Sequence, residues 1–416
     1  MMLHPPYKLH GKLHGQQTLY TAFDVVPAPK GASTHITQFT RALVAAGAAV
    51  SLITANDGTL PPHEQYVGAQ MLRVPAQPDA STTYLDRAEA FSAFVAQHIA
   101  SAPGYAVGHV RSVWGGWPLL AAQRRGLRLL CEINGLPSVE LKYHYPALAG
   151  APLIDTIQAR ELTMLAAADA IVCVSQVTRL YLISLGIMAE KITVIPNGVD
   201  VAHFSPTPLP QRAPDDPPVL LYIGTLADWQ GLRTLLEAMP LLLAERPVRL
   251  RIVGRGRNRQ RKALRKHAEG LGIAAQVTID DPVPHDAIPA LIAGADVCVA
   301  PLGYNDRNVV QGCCPLKILE YMACERPVVA ANLPVVRELA HADHEALLFT
   351  PDAPDALARA VLTLLADPTR AAQMAAHGAE RVRREFTWDI AGDRLIEVYA
   401  RLLSSSSRLE RPVSRL

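Results

Sequence analysis

The chain of 416 residues predicts an α/β protein made of two Rossmann-like domains, each with a doubly wound parallel sheet. Two observations predict this fold. Short apolar strand-like runs alternate with helix-like segments, and the alternation starts afresh at residue 219, as in parallel sheets covered by helices. The segment 204–218 between the two series is rich in proline and contains nothing that we expect to pack, so we interpret it as an interdomain linker.

The first series predicts an N-terminal domain at 17–203, preceded by a loose polar leader at 1–16. Its strands are expected at 18–26, 49–54, 71–74, 106–110, 128–133 and 170–174. Its helices are expected at 35–46, 84–100, 117–125 and 176–185.

The second series predicts a C-terminal domain at 219–385, followed by a helix at 386–403 and a flexible tail at 404–416. Its strands are expected at 219–223, 248–253, 276–279, 296–300, 327–330 and 346–349.

Composition bounds the class of protein. Half of the residues are apolar and the formal net charge is +2, so global charge favours no particular partner. The six cysteines show no C-x-x-C spacing, which argues against a zinc site or a disulfide framework and fits a reducing cytosol. The N-terminus has no apolar signal region, and no run approaches the roughly 18 apolar residues of a membrane span. We expect a cytoplasmic protein, or one peripheral at the inner membrane face.

The stretch 307–330 carries the most chemical information. A Gly-Cys-Cys-Pro turn from Gly312 leads into a helix that begins at Leu316 and holds Lys317 in its first turn and Glu320 one turn in. Free N–H groups at a helix N-terminus, with a nearby lysine, suit a diphosphate. A carboxylate one turn later can accept hydrogen bonds from the two hydroxyls of a ribose. The pattern therefore predicts a nucleotide site, and most simply a nucleotide-sugar site.

The same residues resemble a known family. P-L-K-I-L-E-Y-M-A at 315–323, followed by P-V-V-A at 327–330, resembles the donor-site helix of the family 4 retaining glycosyltransferases, which have the GT-B fold. Further similar segments, in the family's order, are I-P-N-G-V-D at 195–200, V-L-L-Y-I-G-T-L-A-D-W-Q-G at 219–231, I-V-G-R-G at 252–256 and A-D-A-I-V-C-V-S at 168–175. The resemblance implies two domains facing a cleft, with the last helix crossing back onto the first domain.

It also implies the activity: sugar transfer with retention from a nucleotide-diphosphate-sugar to an acceptor hydroxyl, in polysaccharide or glycolipid assembly. The expected partners are that donor and a glycan or lipid-linked acceptor. No metal and no cofactor beyond the co-substrate is expected.

The resemblance implies roles for individual residues. Glu320 would bind the ribose, and Lys317 and Arg307 would stabilise the diphosphate. Gly312, Leu316, Leu319 and Gly224 would contribute further donor contacts, and Gly31 and Ala32 would form a small-residue loop that lets backbone N–H groups approach a ligand.

Polar residues that end two predicted strands are candidates for the acceptor side of the cleft. Glu132, which we expect to act in catalysis, Asn134 and Glu140 follow one strand; His109 and Arg111 end another. A helix-capping or turn role for these side chains remains an equal alternative.

Two departures from the family pattern stand out. Gly312 replaces a glutamate that the family usually has eight positions before the ribose-binding one. The loop after the first strand of the second domain has Thr225 and Gln230 in place of the arginine and lysine that usually hold the diphosphate. Since a diphosphate leaving group builds up negative charge, Lys317, Arg307 and the helix amides are the expected replacements.

A basic cluster at 249–266 holds nine Arg and Lys residues and no acidic residue. It is open to three interpretations: a solvated helix face, an anionic-membrane contact, or a nucleic-acid surface. No stacking aromatic residues are interleaved, so nucleic acid is the least favoured.

Two other functions remain open on sequence alone. A nucleotide-sugar epimerase or hydrolase has the same fold, and a catalytically silent nucleotide-binding relative would fit the missing loop cations. The sequence names neither the base, the sugar nor the acceptor.

Overall fold

The computed structural model describes residues 11–76, 83–102, 104–123, 125–210, 212–213 and 215–404. The described chain forms two α/β units, each with its own twisted sheet, and this confirms the predicted fold class. The first ten residues of the predicted leader, and the predicted tail after Ser404, lie outside the described residues.

The first unit contains an eight-stranded sheet. Its strands are β1 (Gln17–Val25), β2 (Ala49–Ala55), β3 (His63–Tyr66), β4 (Ala69–Arg73), β5 (Val107–Val110), β6 (Arg128–Ile133), β7 (Ala170–Cys173) and β8 (Ile192–Val194). They lie in the order β3-β4-β2-β1-β5-β6-β7-β8, and all neighbours are parallel except the antiparallel edge pair β3–β4. The helices are α1 (Gly31–Ala45), α2 (Tyr84–Ser101), α3 (Val113–Gly116), α4 (Leu120–Gln123), α5 (Pro137–His144), α6 (Pro152–Ala167) and α7 (Gln176–Ser184).

The second unit contains a six-stranded parallel sheet. Its strands are β9 (Val219–Ile223), β10 (Arg249–Val253), β11 (Val277–Asp280), β12 (Val297–Ala300), β13 (Val328–Ala331) and β14 (Leu347–Phe349), in the order β11-β10-β9-β12-β13-β14. The helices are α8 (Leu232–Glu245), α9 (Asn258–Gly270), α10 (Ile288–Ala293), α11 (Leu316–Ala323), α12 (Pro334–Arg337), α13 (Pro354–Ala366), α14 (Pro368–Glu385) and α15 (Trp388–Ser404).

The central strands are apolar throughout because helices cover both faces of the sheets. Every residue of β12 (VCVA) and of β13 (VVAA) is buried. A strand that is buried on both sides has no polar face, so it reads as a short continuous apolar run. The edge strand β3 (HEQY) has no such run, and the sequence analysis missed it.

Two segments expected to be loose are packed. Leu13, in the predicted leader, is 0% exposed, and its backbone N–H donates to the carbonyl of Ala46. Phe204, at the start of the predicted linker, is 2% exposed and belongs to the core of the second unit. Farther along, Thr207 and Pro208 accept hydrogen bonds from the buried guanidinium of Arg326. The expectation that nothing in 204–218 packs was therefore wrong, since one aromatic side chain and a few carbonyls anchor its start.

The end of the chain returns to the first unit. Trp388, Leu395 and Tyr399 of α15 share a buried core with Ile36 and Phe39 of α1. Beside them, the segment before α15 pairs with the crossover between the units, where the Val199 N–H donates to the Phe386 carbonyl over 2.8 Å. The crossover and the last helix thus reinforce each other at the back of the cleft.

Gly198 in this crossover is expected to be intolerant of a side chain. A Cβ added at Gly198 would lie 2.4 Å from backbone atoms of Thr387 and Trp388, so Gly198→Ala must shift the backbone. We expect a loss of about 1–3 kcal/mol in stability, measured as a lower thermal midpoint and a lower urea midpoint. Gly270→Ala is the control: its Cβ would meet nothing within 4 Å at the end of α9. Equal midpoints for the two variants would contradict the tight approach.

Candidate active site

A cavity of about 530 Å³ lies between the two units, and the carboxyl ends of both sheets line it. In the first unit its wall comes from the segments that follow β1, β5 and β6. In the second unit it comes from those that follow β9, β10, β11 and β12. Lining residues from these segments include Gly31, Arg111, Asn134, Gly224, Arg255, Val283 and Leu302. Ligands of doubly wound sheets bind at this edge, where the strand order reverses.

The first turns of α11 bring Lys317 and Glu320 to the cavity. The helix begins after Pro315, and no side chain caps its N-terminus. Its first N–H groups therefore remain available to an anion.

Lys317 is held in an unusual seat. Its side chain is 8% exposed, and Nζ lies 4.0 Å from the centre of the Tyr222 ring. Nζ donates to Oε1 of Gln230 over 2.5 Å. Within the described part of the chain, no carboxylate lies within ion-pair distance of this ammonium. Burial lowers the pKa of Lys317 to about 7, although Glu320 opposes the shift.

Glu320 shares this desolvated environment. Burial raises the pKa of Glu320 to about 7, and Lys317 partly opposes that shift. Two groups of opposite charge type thus titrate near neutrality at one end of the cavity. Perturbed values of this kind mark functional sites more often than structural ones.

Arg307 also lines the cavity, on a single turn of π-helix at Arg307–Gln311. Its guanidinium carbon lies 5.1 Å from the centre of the Trp229 ring, and Nε lies 2.9 Å from Oε1 of Glu140. Glu140 belongs to α5 of the first unit, so this ion pair bridges the two units. The sequence analysis missed Trp229, for which the only signal was an aromatic residue beside Gln230 in the loop after β9.

The predicted glycines have different surroundings. Gly31 lines the cavity beside Ala32, and a Cβ on Gly31 would lie 2.8 Å from Cδ1 of Leu316. Its small size therefore lets the donor helix approach α1. Gly224 has φ +152°, and a Cβ there would lie 2.8 Å from Nζ of Lys317, so this glycine leaves room for the ammonium.

Two predicted donor contacts are not at the cavity surface. Leu319 is 0% exposed in the core of the second unit, because it lies on the buried face of α11. Gly312 has φ +85° and packs on the N-terminus of α7, where a Cβ would lie 2.8 Å from Oγ of Ser175. The burial of Leu319 contradicts its predicted contact with the donor. The positive φ of Gly312 and the close approach of Ser175 explain why a glutamate is excluded at position 312.

Glu132 is the centre of a buried polar network beneath the cavity. Its carboxylate is 1% exposed and does not line the cavity. Five side chains surround its two oxygens: Tyr20 at 2.7 Å, Arg111 at 2.8 Å, His35 at 2.9 Å, His109 at 3.1 Å, and Asn134. Both histidine contacts have ion-pair distance without good hydrogen-bond alignment.

The network fixes the charge of Glu132. Burial alone would raise the pKa of this carboxyl, but Arg111 and His35 outweigh burial and hold the pKa well below its ordinary value. Glu132 was predicted to contact the substrate directly, and its burial among these side chains contradicts that prediction. The carboxylate reaches the cavity through Arg111, Asn134 and His35, which do line it.

Two absences apply to the residues that the structure describes. No group of three or more His, Cys, Asp or Glu side chains there is arranged to hold a metal ion. No helix there is long and apolar enough to cross a membrane.

Two family models match the chain. Residues 29–203 match "Glycosyltransferase Family 4", and residues 217–367 match "Glycosyl transferases group 1". Among curated proteins, the D-inositol 3-phosphate glycosyltransferase of Xylanimonas cellulosilytica is 29% identical over 399 residues, covering 89% of this chain and 91% of that protein. The phosphatidyl-myo-inositol mannosyltransferase of Mycolicibacterium smegmatis is 34% identical over 209 residues, 49% of this chain and 50% of that protein.

Solved structures share the fold. Sucrose-phosphate synthase from Thermosynechococcus elongatus superposes with a TM-score of 0.79 at 24% identity, covering 94% of this chain and 100% of that one. Anabaena Alr3699/HepE in complex with UDP-glucose gives a TM-score of 0.68 at 19% identity, covering 94% and 99%. The two matched segments together span most of the chain. One lies in the first unit and the other in the second, and residues of both line the cavity described above. The chain belongs to the family 4 glycosyltransferases of GT-B fold, and it is an enzyme that transfers sugars.

Proposed function

We propose that this glycosyltransferase moves a hexosyl group from a nucleotide-diphosphate-sugar to an acceptor hydroxyl, with retention and without a metal ion. One observation carries the proposal: Lys317 and Glu320 face the cavity from the start of α11, where both sheets present their carboxyl ends. The pair offers a cation for a diphosphate and a carboxylate for a ribose one helical turn apart.

The leaving diphosphate would be stabilised without loop cations. Lys317 and the uncapped N–H groups of α11 would hold one side of it, and Arg307 would approach from the other. Charge that develops on the leaving phosphate meets donors that are already in place, and such preorganisation lowers the barrier.

The carboxylates that line the cavity support a mechanism in which the acceptor hydroxyl attacks the donor sugar on the same face from which the diphosphate leaves. Among the described lining residues, Asp24 is bonded to Lys30 over 2.5 Å and Glu140 is paired with Arg307, while Glu320 is assigned to the ribose. Asp24 and Glu140 are thus engaged in ion pairs, and Glu320 is committed to the ribose in this proposal, so we assign none of them as a covalent nucleophile or a general base. The leaving phosphate would then accept the acceptor's proton, and the product would keep the donor's anomeric configuration.

The acceptor would lie against the first unit. That wall presents Arg111 and Asn134, both held by Glu132, together with Tyr84 and Trp114. Relatives are named for inositol 3-phosphate and phosphatidyl-myo-inositol. We propose an acceptor of related chemistry, a polyol or a glycolipid headgroup, as in glycolipid or polysaccharide assembly.

A donor screen tests the proposal. The protein would be incubated with UDP-, GDP-, ADP- and dTDP-sugars while thermal shift and released nucleotide diphosphate are recorded. We expect one donor to stabilise the protein and to be consumed slowly. Both effects should be lost in Glu320→Ala and Lys317→Ala, because these remove the ribose and diphosphate contacts. Glu269→Ala and Lys262→Ala, which change exposed residues of α9, are the matched controls.

Other outcomes of this screen would identify the alternatives. Isomerised or free sugar without acceptor would favour an epimerase or hydrolase, and binding without turnover would favour a silent relative. Product anomers followed by NMR, with and without EDTA, test retention and metal independence.

Nucleotide affinity is expected to peak near neutral pH. A bound diphosphate favours the protonated form of Lys317, whose pKa is lowered to about 7 in the free protein, so affinity should fall as pH rises above that value. Ribose hydroxyls favour the ionised form of Glu320, whose pKa is raised to about 7, so affinity should also fall as pH drops below it. Calorimetric titration with the nucleotide diphosphate from about pH 6 to about pH 9 should show limbs of up to about tenfold per unit. Lys317→Arg should keep only the acidic limb; an unchanged alkaline limb would exclude Lys317 as the titrating group.

The basic cluster supports peripheral contact with an anionic membrane. Arg259, Lys262 and Lys266 are exposed on α9, at positions that share one helical face. Arg261, by contrast, is buried and donates to the carbonyls of Gly254 and Asp280, so it is part of the fold. We propose that the exposed face binds anionic lipid headgroups.

Liposome flotation tests the membrane contact. We expect the protein to float with anionic vesicles and not with neutral ones. Replacing Arg259, Lys262 and Lys266 by Gln should reduce flotation, because each basic residue near such a surface adds about 1 kcal/mol. The control replaces three exposed arginines elsewhere, Arg233, Arg359 and Arg370, by Gln. Equal flotation of the two triple variants would end the idea.

A further inference from the structure

The loop Gly224–Gly231 contains no Lys or Arg, yet it contacts the two cations of the proposed donor site. Asp228–Gln230 forms one turn of 3-10 helix, closed by Gly231 at φ +71°. A Cβ on Gly231 would lie 2.1 Å from the carbonyl oxygen of Pro301, so the loop is seated tightly on the segment after β12. This tight packing fixes the loop backbone, so the loop can hold its side chains in defined positions.

Each of two consecutive loop side chains contacts one of the two donor-site cations. The Trp229 ring lies under the guanidinium of Arg307, at 5.1 Å. Gln230 accepts a hydrogen bond from Nζ of Lys317 over 2.5 Å. The cations come from the π-helical turn and from α11, so the positive charge lies on other elements while the loop contacts it.

The seat of Lys317 leaves its charge unneutralised. Its Nζ lies beside the Tyr222 ring and the neutral amide of Gln230, in the space that the missing side chain of Gly224 leaves. An ammonium has three donors, and Gln230 takes one of them, which leaves donors for an anion. A carboxylate at position 230 would neutralise the ammonium, and an alkyl side chain would leave it without a fixed direction.

We propose that Gln230 is a positioning residue, whose amide oxygen holds the Lys317 ammonium in place for the donor diphosphate. The inference rests on the proposed function, because it assigns Lys317 to the diphosphate. It adds a division of roles: the loop orients the cation and the helix carries the charge. A cation at position 230 should then substitute for the one at 317.

The test is a charge exchange, measured as nucleotide diphosphate affinity with the nucleotide selected in the donor screen. Gln230→Leu should weaken binding about tenfold, the size expected for losing a charge-assisted hydrogen bond. Lys317→Gln should weaken it at least as much. The double variant Gln230→Lys/Lys317→Gln should recover most of that loss, since it returns one cation to the same place. Gln373→Leu, at an exposed position of α14, is the control.

A pH profile separates positioning from a merely structural role. Gln230→Glu should weaken binding at neutral pH and move the alkaline limb of affinity to higher pH, because the new carboxylate stabilises the charged ammonium. Gln230 is only half-buried, so these variants should fold, and thermal midpoints would verify it.

The outcomes separate the two proposals. If Lys317→Gln binds as tightly as the wild type, the diphosphate role of Lys317 fails and the proposed function fails with it. If Lys317→Gln weakens binding while Gln230→Leu and Gln230→Glu match the wild type in affinity and pH profile, the donor site stands and the inference about Gln230 is overturned. Failure of the double variant to exceed Lys317→Gln alone would also overturn it.

Discussion

The buried carboxylate of Glu132 joins parts of the chain that the rest of the site depends on. Its neighbours come from β1, α1, β5 and the segment after β6. Through His35 the network continues to Asn197 in the crossover, whose amide donates to the carbonyl of Cys314 just before α11. Through His109 it reaches Tyr399 of α15. One buried charge thus links the acceptor wall, the crossover, the donor turn and the last helix. Removing one partner of such a buried pair typically destabilises by about 3–5 kcal/mol.

Features that depend on neighbouring residues could be predicted from the sequence. Features that depend on residues far apart in the chain could not. The apolar runs of β12 and β13 and the spacing of Lys317 and Glu320 are local patterns, and the structure places them as the sequence indicates. The surroundings of Glu132 could not be predicted, because Tyr20 lies 112 positions away and only the folded sheet brings the two together. Packing of Leu13 and Phe204 was missed for a similar reason, since each is an apolar residue with polar neighbours on both sides. A lone apolar residue gives no periodic signal.

Burial and charge are balanced differently on the two sides of the cavity. On the acceptor side, Arg111 and Glu132 are paired, so the pKa of Glu132 stays well below its ordinary value and its charge is fixed. On the donor side, Lys317 has a neutral amide as its partner, and burial lowers its pKa to about 7. The first arrangement keeps a fixed, fully paired charge. The second keeps an incompletely compensated cation, which a diphosphate can stabilise, and this difference in preorganisation matches an acceptor wall and a donor seat.

Hydrogen bonds join the two units, beside the apolar contact of α15 with α1. Glu338 accepts hydrogen bonds from the N–H groups of Gln176 and Val177 at the start of α7, and Gln311 accepts one from the N–H of Leu136. Polar contacts of this kind can be exchanged for water, whereas the apolar contact of α15 with α1 cannot. Arg307 belongs both to this interface, through Glu140, and to the donor site. If Arg307 holds the diphosphate as proposed, a donor that draws on its guanidinium would compete with Glu140, so donor binding would weaken one ion pair between the units.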